Sequence, residues 1–399
     1  MIQNTLLALA VLIAAGLLVS RGARALNLPN VTAFLVAGLL VGPCVLGVVS
    51  KEQAEGFSIL STAALGFIAF SIGGEFRLDF LKQIGKGPLT ITFFQGMTTA
   101  VLVDAGLILC GFDVPMSLML GAIALATAPA ATLMVVRQYK ADGPLTRTLL
   151  PVVAMDDALG LMVFSISSAV ASGLLGGEIT VQSMLLKPLY EIFGSLILGA
   201  LLGLLVTFAA RFFRSRGNKL ALSICAVFTG VGLCDMLGFS SLLVCMMIGA
   251  VMVNLCKERK VILEQTDRFT PPLFLLFFVL SGADLDLSVL PAVGLIGVLY
   301  IVFRSIGKWS GALLGAALVK ADPNVRKYLG LTLLPQAGVA IGMAQLVVAQ
   351  FPQFGAQVNA IVLAATLVYE LVGPVITKVA LTRAGEIKPA LTPSEAGAK

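Results

Sequence analysis

Apolar stretches close to the length that crosses a bilayer as a helix, about 20 residues, recur from Asn4 to near the end of the chain. A chain built this way must satisfy its backbone polar groups internally, which leaves helices or a closed barrel. Barrel strands alternate in segments of about ten residues, and these runs are continuous, so the sequence predicts an all-α polytopic membrane protein. A mean hydropathy of +1.00 agrees. Only 12% of residues are charged, where a soluble globular domain has about a quarter. The recurrence rules out one cleaved signal, and Met1 to Leu6 lacks a signal's basic start.

Several chemistries are excluded early. The six cysteines (Cys44, Cys110, Cys225, Cys234, Cys245 and Cys256) lie within or at the ends of apolar runs, with no CxxC pair and no histidine in the chain. Buried free thiols are expected rather than a zinc or iron–sulfur site, and no metal beyond a transported ion. Without histidine, proton chemistry falls to carboxylates and lysine. The net charge of +6 is no nucleic-acid signal, because the basic residues sit between apolar runs. No nucleophile–base pattern points to an enzyme.

Dividing the chain at charged and Gly/Pro-rich breaks predicts thirteen spans, near 4–20, 29–48, 57–75, 88–111, 115–136, 145–172, 184–210, 218–234, 238–256, 270–282, 288–318, 327–350 and 356–381. Loop charge tests the division, since cytoplasmic loops are enriched in Lys and Arg. Loops after odd-numbered spans, with the C-terminal tail, carry 23 Lys and Arg, and those after even-numbered spans carry 2 (Lys51 and Lys187). The expected topology has the N-terminus outside and the C-terminus in the cytoplasm, at the inner (plasma) membrane. Thirteen spans divide as 6+1+6, an arrangement that gives two inverted halves around a linker helix.

Ionisable groups at mid-membrane are functional candidates, because each costs about 2.5–3.5 kcal/mol to insert. Span six carries Asp156 and Asp157, and span eleven carries Lys308. A rise of about 1.5 Å per residue puts all three about 17 Å from the cytoplasmic side, on antiparallel helices. A plain structural ion pair is the simpler alternative. Yet one lysine neutralises one aspartate, and a second buried carboxylate must take up a proton or hold a cation. Competition of both for one group is by itself a mechanism of antiport.

Span five breaks at Ala126-Thr127-Ala128-Pro129-Ala130-Ala131-Thr132, and span twelve at Leu334-Pro335-Gln336-Ala337-Gly338. Pro129 and Pro335 each remove a backbone donor. The carbonyl freed in span five, with the Thr127 and Thr132 hydroxyls, offers oxygen ligands to a hard cation. Each broken span is the fifth of its half, and paired interruptions of this kind point to a transporter's binding site.

The Thr-Ala-Pro-Ala break, the Asp156-Asp157 pair, the Gly307-Lys308 step and the Pro335 break together resemble the monovalent cation:proton antiporter superfamily, in its bacterial sodium/proton branch with a double-aspartate motif. Gly73-Gly74-Glu75-Phe76, Phe278-Val-Leu-Ser-Gly-Ala283, Gln336-Ala-Gly-Val-Ala-Ile-Gly342 and Tyr369-Glu-Leu-Val-Gly-Pro374 extend the likeness along the chain. It implies the sodium/proton antiporter fold with two interrupted crossing helices. It also implies that Asp157 holds cation and proton in turn, that Asp156 pairs with Lys308, and that Thr127 lies beside the site. A homodimer in membrane lipid follows from the same likeness. Residues 1–86 and 218–283 would form a static dimerisation scaffold, 87–172 and 287–383 a moving core, 184–214 a linker helix, and 384–399 a short cytosolic tail.

Secondary candidates are Arg304 (one turn from Lys308, expected to anchor Asp156 or another acid), Glu370 within span thirteen, and Glu75 at the end of span three. No G-x-G-x-x-G or P-loop string appears, so no nucleotide, cofactor or nucleic-acid partner is expected. The expected function is exchange of Na+ (or Li+ or K+) for protons, electrogenic because the acid pair carries two formal charges. A K+/H+ antiporter, an organic-anion symporter on a related inverted-repeat fold and a non-transporting cation receptor are the alternatives.

Overall fold

A computed structural model describes residues 4–26, 28–74, 76, 86–175, 186–213, 215–285 and 293–387. Among them the regular secondary structure is all helix, with no strand. Sixteen helices follow in order: α1 Thr5–Ala25, α2 Asn30–Val41, α3 Lys51–Gly56, α4 Ser58–Gly74, α5 Gly87–Leu109, α6 Val114–Ile123, α7 Pro129–Tyr139 and α8 Pro144–Leu174. The remainder are α9 Lys187–Ala209, α10 Arg216–Leu237, α11 Ser241–Leu255, α12 Arg259–Ala283, α13 Gly294–Leu318, α14 Pro323–Thr332, α15 Gly338–Gln350 and α16 Gly355–Arg383. Six (α1, α5, α8, α9, α10 and α16) are long and apolar enough to cross a membrane.

Local chemistry sets many helix starts. Ser215, Ser240 and Asp322 accept the backbone N–H of Asn218, Leu243 and Asn324 at the starts of α10, α11 and α14. Pro88, Pro115, Pro129, Pro144 and Pro323 stand in first turns, where a missing N–H costs nothing.

Two helices depart from expectation. The span placed at 270–282 is part of α12, which begins at Arg259 and runs through Pro271 and Pro272. Ile262, Thr266 and Thr270 recur at helical spacing on its buried face, so packing outweighs the two lost backbone donors. The short α3 was not expected.

Buried apolar residues form one cluster from α1, α2, α4 and α9–α12, joined by Ala130, Ala131 and Leu133 of α7 and Ala154 of α8. Two further clusters draw on α5–α8 and α13–α16. A glycine stripe binds the second group. A Cβ at Gly307, Gly311 or Gly315 of α13 would lie 2.7, 2.6 or 2.8 Å from the Cα of Thr99, Gln95 or Ile91 on α5. Only glycine permits that approach, as at small-residue helix contacts in membranes. It sets Lys308 of α13 beside Gln95 of α5.

Candidate functional site

The two interruptions face each other. The chain leaves helix between Ile123 and Pro129, and again between Thr332 and Gly338. Ala128 N–H donates to Pro335 O at 2.8 Å, linking one break to the other. A helix that stops inside a membrane orphans its last carbonyls. Here side chains supply the missing donors. Gln336 Nε2 reaches Ile123 O at 3.2 Å, and Arg304 Nε reaches Ala124 O at 3.0 Å. Lys308 Nζ donates to Leu125 O, and Arg304 Nη2 to Ala126 O at 2.8 Å. Four successive carbonyls at the end of α6 are therefore taken.

Arg304 differs from its expected role. It binds no acid. Its third nitrogen, Nη1, donates to Leu334 O at 2.7 Å in the other break, and its guanidinium carbon lies 4.4 Å from the Tyr369 ring centroid. Its planar fork of donors suits carbonyls that converge from two helix ends. Those ends carry partial negative charge, which the guanidinium offsets.

Lys308 holds Asp156. The Nζ–Oδ2 distance is 3.1 Å and both side chains are fully buried. Lys308 also donates to Thr127 Oγ1 at 2.8 Å and Gln95 Oε1 at 2.9 Å. Thr127 in turn donates to Asp156 Oδ2 at 2.6 Å, and Gln95 Nε2 donates to Asp156 Oδ1. Asp156 thus has both oxygens engaged by α5, the first break and α13.

Asp157, the next residue on α8, has none of this. It is buried, its Oδ1 lacks a hydrogen-bond partner, and no ion pair reaches it among the described residues. A carboxylate in that condition binds a proton or a cation, because bare charge in an apolar interior is prohibitively costly.

Thr132, on α7, donates to Thr332 O at 3.3 Å across to the end of α14. Glu370, on α16, lines a cavity of about 320 Å³ with Thr127, Pro129, Ala337 and Gly338. Glu75 lies outside the described residues, as does the chain beyond Ile387.

Two polar contributors escaped the sequence reading. Gln95 was detectable as a lone amide in an apolar run. Glu386 was counted with the short cytosolic tail, yet it is buried against the start of α8. Its carboxylate accepts from the N–H groups of Leu145 and Thr146, at 2.5 and 2.8 Å, and from Thr146 Oγ1 at 2.6 Å. It caps the helix that bears the aspartates, where a negative charge suits the N-terminal dipole.

Crossed interrupted helices, whose open ends are neutralised by buried cations beside an acid pair, define an ion-coupled membrane transporter rather than an enzyme. Residues 8–383 match the family described as "Sodium/hydrogen exchanger, transmembrane", and the chain belongs to that family. The high-affinity Na(+)/H(+) antiporter NhaS3 of Synechocystis sp. is 25% identical over 390 residues, covering 86% of this chain and 82% of its own. The ammonium/H(+) antiporter subunit AmhT of Alkalihalophilus pseudofirmus is 24% identical over 337 residues, with 82% and 83% covered. Among solved structures, the sodium proton antiporter MjNhaP1 of Methanocaldococcus jannaschii at pH 8 superimposes with a TM-score of 0.73 at 18% identity, over 96% of this chain and 98% of that one. An electron-microscopy map of the same protein gives 0.78 at 20% identity with the same coverage. The fold is that of the sodium/proton antiporters.

Proposed function

We propose that this chain exchanges sodium for protons across the inner membrane by alternating access, with Asp157 holding the two ions in turn. One observation carries the reading: of two adjacent buried aspartates, Asp156 has donors on both oxygens and Asp157 Oδ1 has none. Asp157 is the group whose charge must be met from outside the protein. Sodium, a hard cation, takes oxygen ligands, and Asp157 with the Thr127 hydroxyl supplies them. Thr132 stands on the other side of the broken segment, its hydroxyl spent on the α14 end.

Exchange follows from mutual exclusion. A proton on Asp157 abolishes the charge that holds sodium, and bound sodium excludes the proton. Sodium arriving beside Asp156 draws that carboxylate from Lys308, and release of a second proton from the pair makes the cycle electrogenic. Thirteen spans serve this motion, with the N-terminus outside and the C-terminus in the cytoplasm. The core helices α5–α8 and α13–α16 slide against a dimeric scaffold of α1–α4 and α10–α12, with α9 as the linker.

The test is sodium-driven proton movement in proteoliposomes, wild type beside Asp157→Asn. Exchange should vanish in the variant while its folding persists, and a wild type held at zero voltage should run faster than one without a charge shunt. Undiminished exchange by Asp157→Asn would falsify the shared-carboxylate mechanism, and indifference to the shunt would remove electrogenicity.

A further inference from the structure

The cavity beside the two breaks contains a second carboxylate with the same electrostatic problem as Asp157. Glu370 is only 4% exposed and has no hydrogen bond or ion pair among the described residues, yet it lines the cavity wall. One turn earlier on α16, Thr366 is 2% exposed, faces the same cavity, and has a hydroxyl with no partner. Some helical threonines in this chain spend that hydroxyl on the carbonyl four residues back, as Thr62, Thr90 and Thr207 do, while Thr92, Thr270 and Thr377 leave it unpartnered. Of these unpartnered threonines among the described residues, Thr366 is the one that lines the cavity with Glu370.

The plain alternative is that Glu370 merely balances the positive ends of α7 and α15, whose first residues, Pro129 and Gly338, share the cavity. The chain shows what such a balance looks like. Glu386 performs it at α8 with three short hydrogen bonds to the first turn. Glu370 makes no bond to either helix end, so its oxygens stay directed at the cavity.

Position adds a reason. Thr127 lines this cavity and also donates to Asp156, so one residue separates the cavity from the acid pair. Phe277, Ser281 and Asp284, from the end of α12, also line the cavity. An apolar wall with acids along it concentrates cations, since field lines are focused by the low dielectric around them.

We infer that Glu370 and Thr366 form a second cation station, on the cavity side of Thr127, where sodium waits before transfer to Asp157. This rests on the exchange reading above. Its chemistry is that of a loose oxygen site for a monovalent cation: one carboxylate and one hydroxyl at adjacent turns.

Two measurements on the full chain test it. In proteoliposomes, Glu370→Gln should raise KM for sodium by about fivefold or more while kcat falls by less, with Glu370→Asp recovering most of the loss and Thr366→Val showing the same sign. Binding of radioactive sodium to detergent-purified protein should persist weakly in Asp157→Asn and disappear when Glu370→Gln is added. A KM within about twofold of wild type in both Glu370→Gln and Thr366→Val overturns the proposal. So does a loss of kcat shared equally by Glu370→Gln and Glu370→Asp with KM unchanged, which marks a packing role for the glutamate side chain rather than a cation site. Continued exchange by Asp157→Asn would sink the carrier assignment instead, and the binding measurement would still decide Glu370.

Discussion

Asp156 and Asp157 are consecutive on α8 and both buried, but Asp156 takes donors from Lys308, Thr127 and Gln95 while Asp157 Oδ1 takes none. Neighbouring positions on a helix point about 100° apart. One carboxylate therefore meets α5, α13 and the first break, and the other keeps Oδ1 without a donor among the described residues.

The Asp156–Lys308 pair should behave as a buried ion pair in a double-mutant cycle. Lys308→Met leaves Asp156 charged and short of its cation, which costs about 3–5 kcal/mol. Adding Asp156→Asn should recover much of that loss, so that the double variant melts above the single one in detergent. Additive losses would show that the two side chains do not interact energetically.

Gln95 bridges the pair, donating to Asp156 and accepting from Lys308. Gln95→Leu removes both bonds at similar volume and should lower stability by about 1–3 kcal/mol. The loss should shrink when Asp156 is already Asn. An unchanged melting temperature for Gln95→Leu alone would remove the amide from the network.

Arg304 should not be replaceable by lysine. Its three nitrogens serve Ala124, Ala126 and Leu334 carbonyls, and an ammonium cannot span that fork. Each buried carbonyl left without a donor costs about 1–3 kcal/mol. Arg304→Lys is thus expected to melt well below wild type and to exchange slowly. Wild-type melting by this variant would mean that the broken helix ends need no fixed cap.

On the proposed exchange mechanism, competition for Asp157 sets the sign of the pH dependence. Lowering pH fills the carboxylate with protons, and sodium must then displace them. Where the protonated form dominates, KM for sodium should rise by at least about tenfold for each pH unit lost, and more steeply where the second proton is also displaced, with kcat at saturating sodium little changed. Initial rates across a sodium titration at several pH values check this. A fall in kcat at constant KM would place proton inhibition at another group.

Much of the architecture is legible before any coordinate. Hydropathy marks the apolar helices because each one must hide its own backbone from lipid. Pro129 and Pro335 mark the interruptions because proline lacks the donor that a continuing helix needs. Counting residues from the span ends brings Asp156, Asp157 and Lys308 to one depth, since helix rise is nearly constant. These are local or one-dimensional properties, and the sequence by itself determines them.

Which donor meets which acceptor is different in kind. It depends on how helices rotate and how closely they cross, and that is decided where Gly307, Gly311 and Gly315 let α13 lie against α5. Charge alone suggested an acid for Arg304, but the tertiary structure gives it the carbonyls of two broken helices. The division of the chain put Glu386 in the tail, and packing makes it the cap of α8. The α12 helix runs through Pro271 and Pro272 because its buried face outweighs two lost donors. The sequence determined which buried charges the chain would contain; only the fold decided which of them found partners within the protein and which did not.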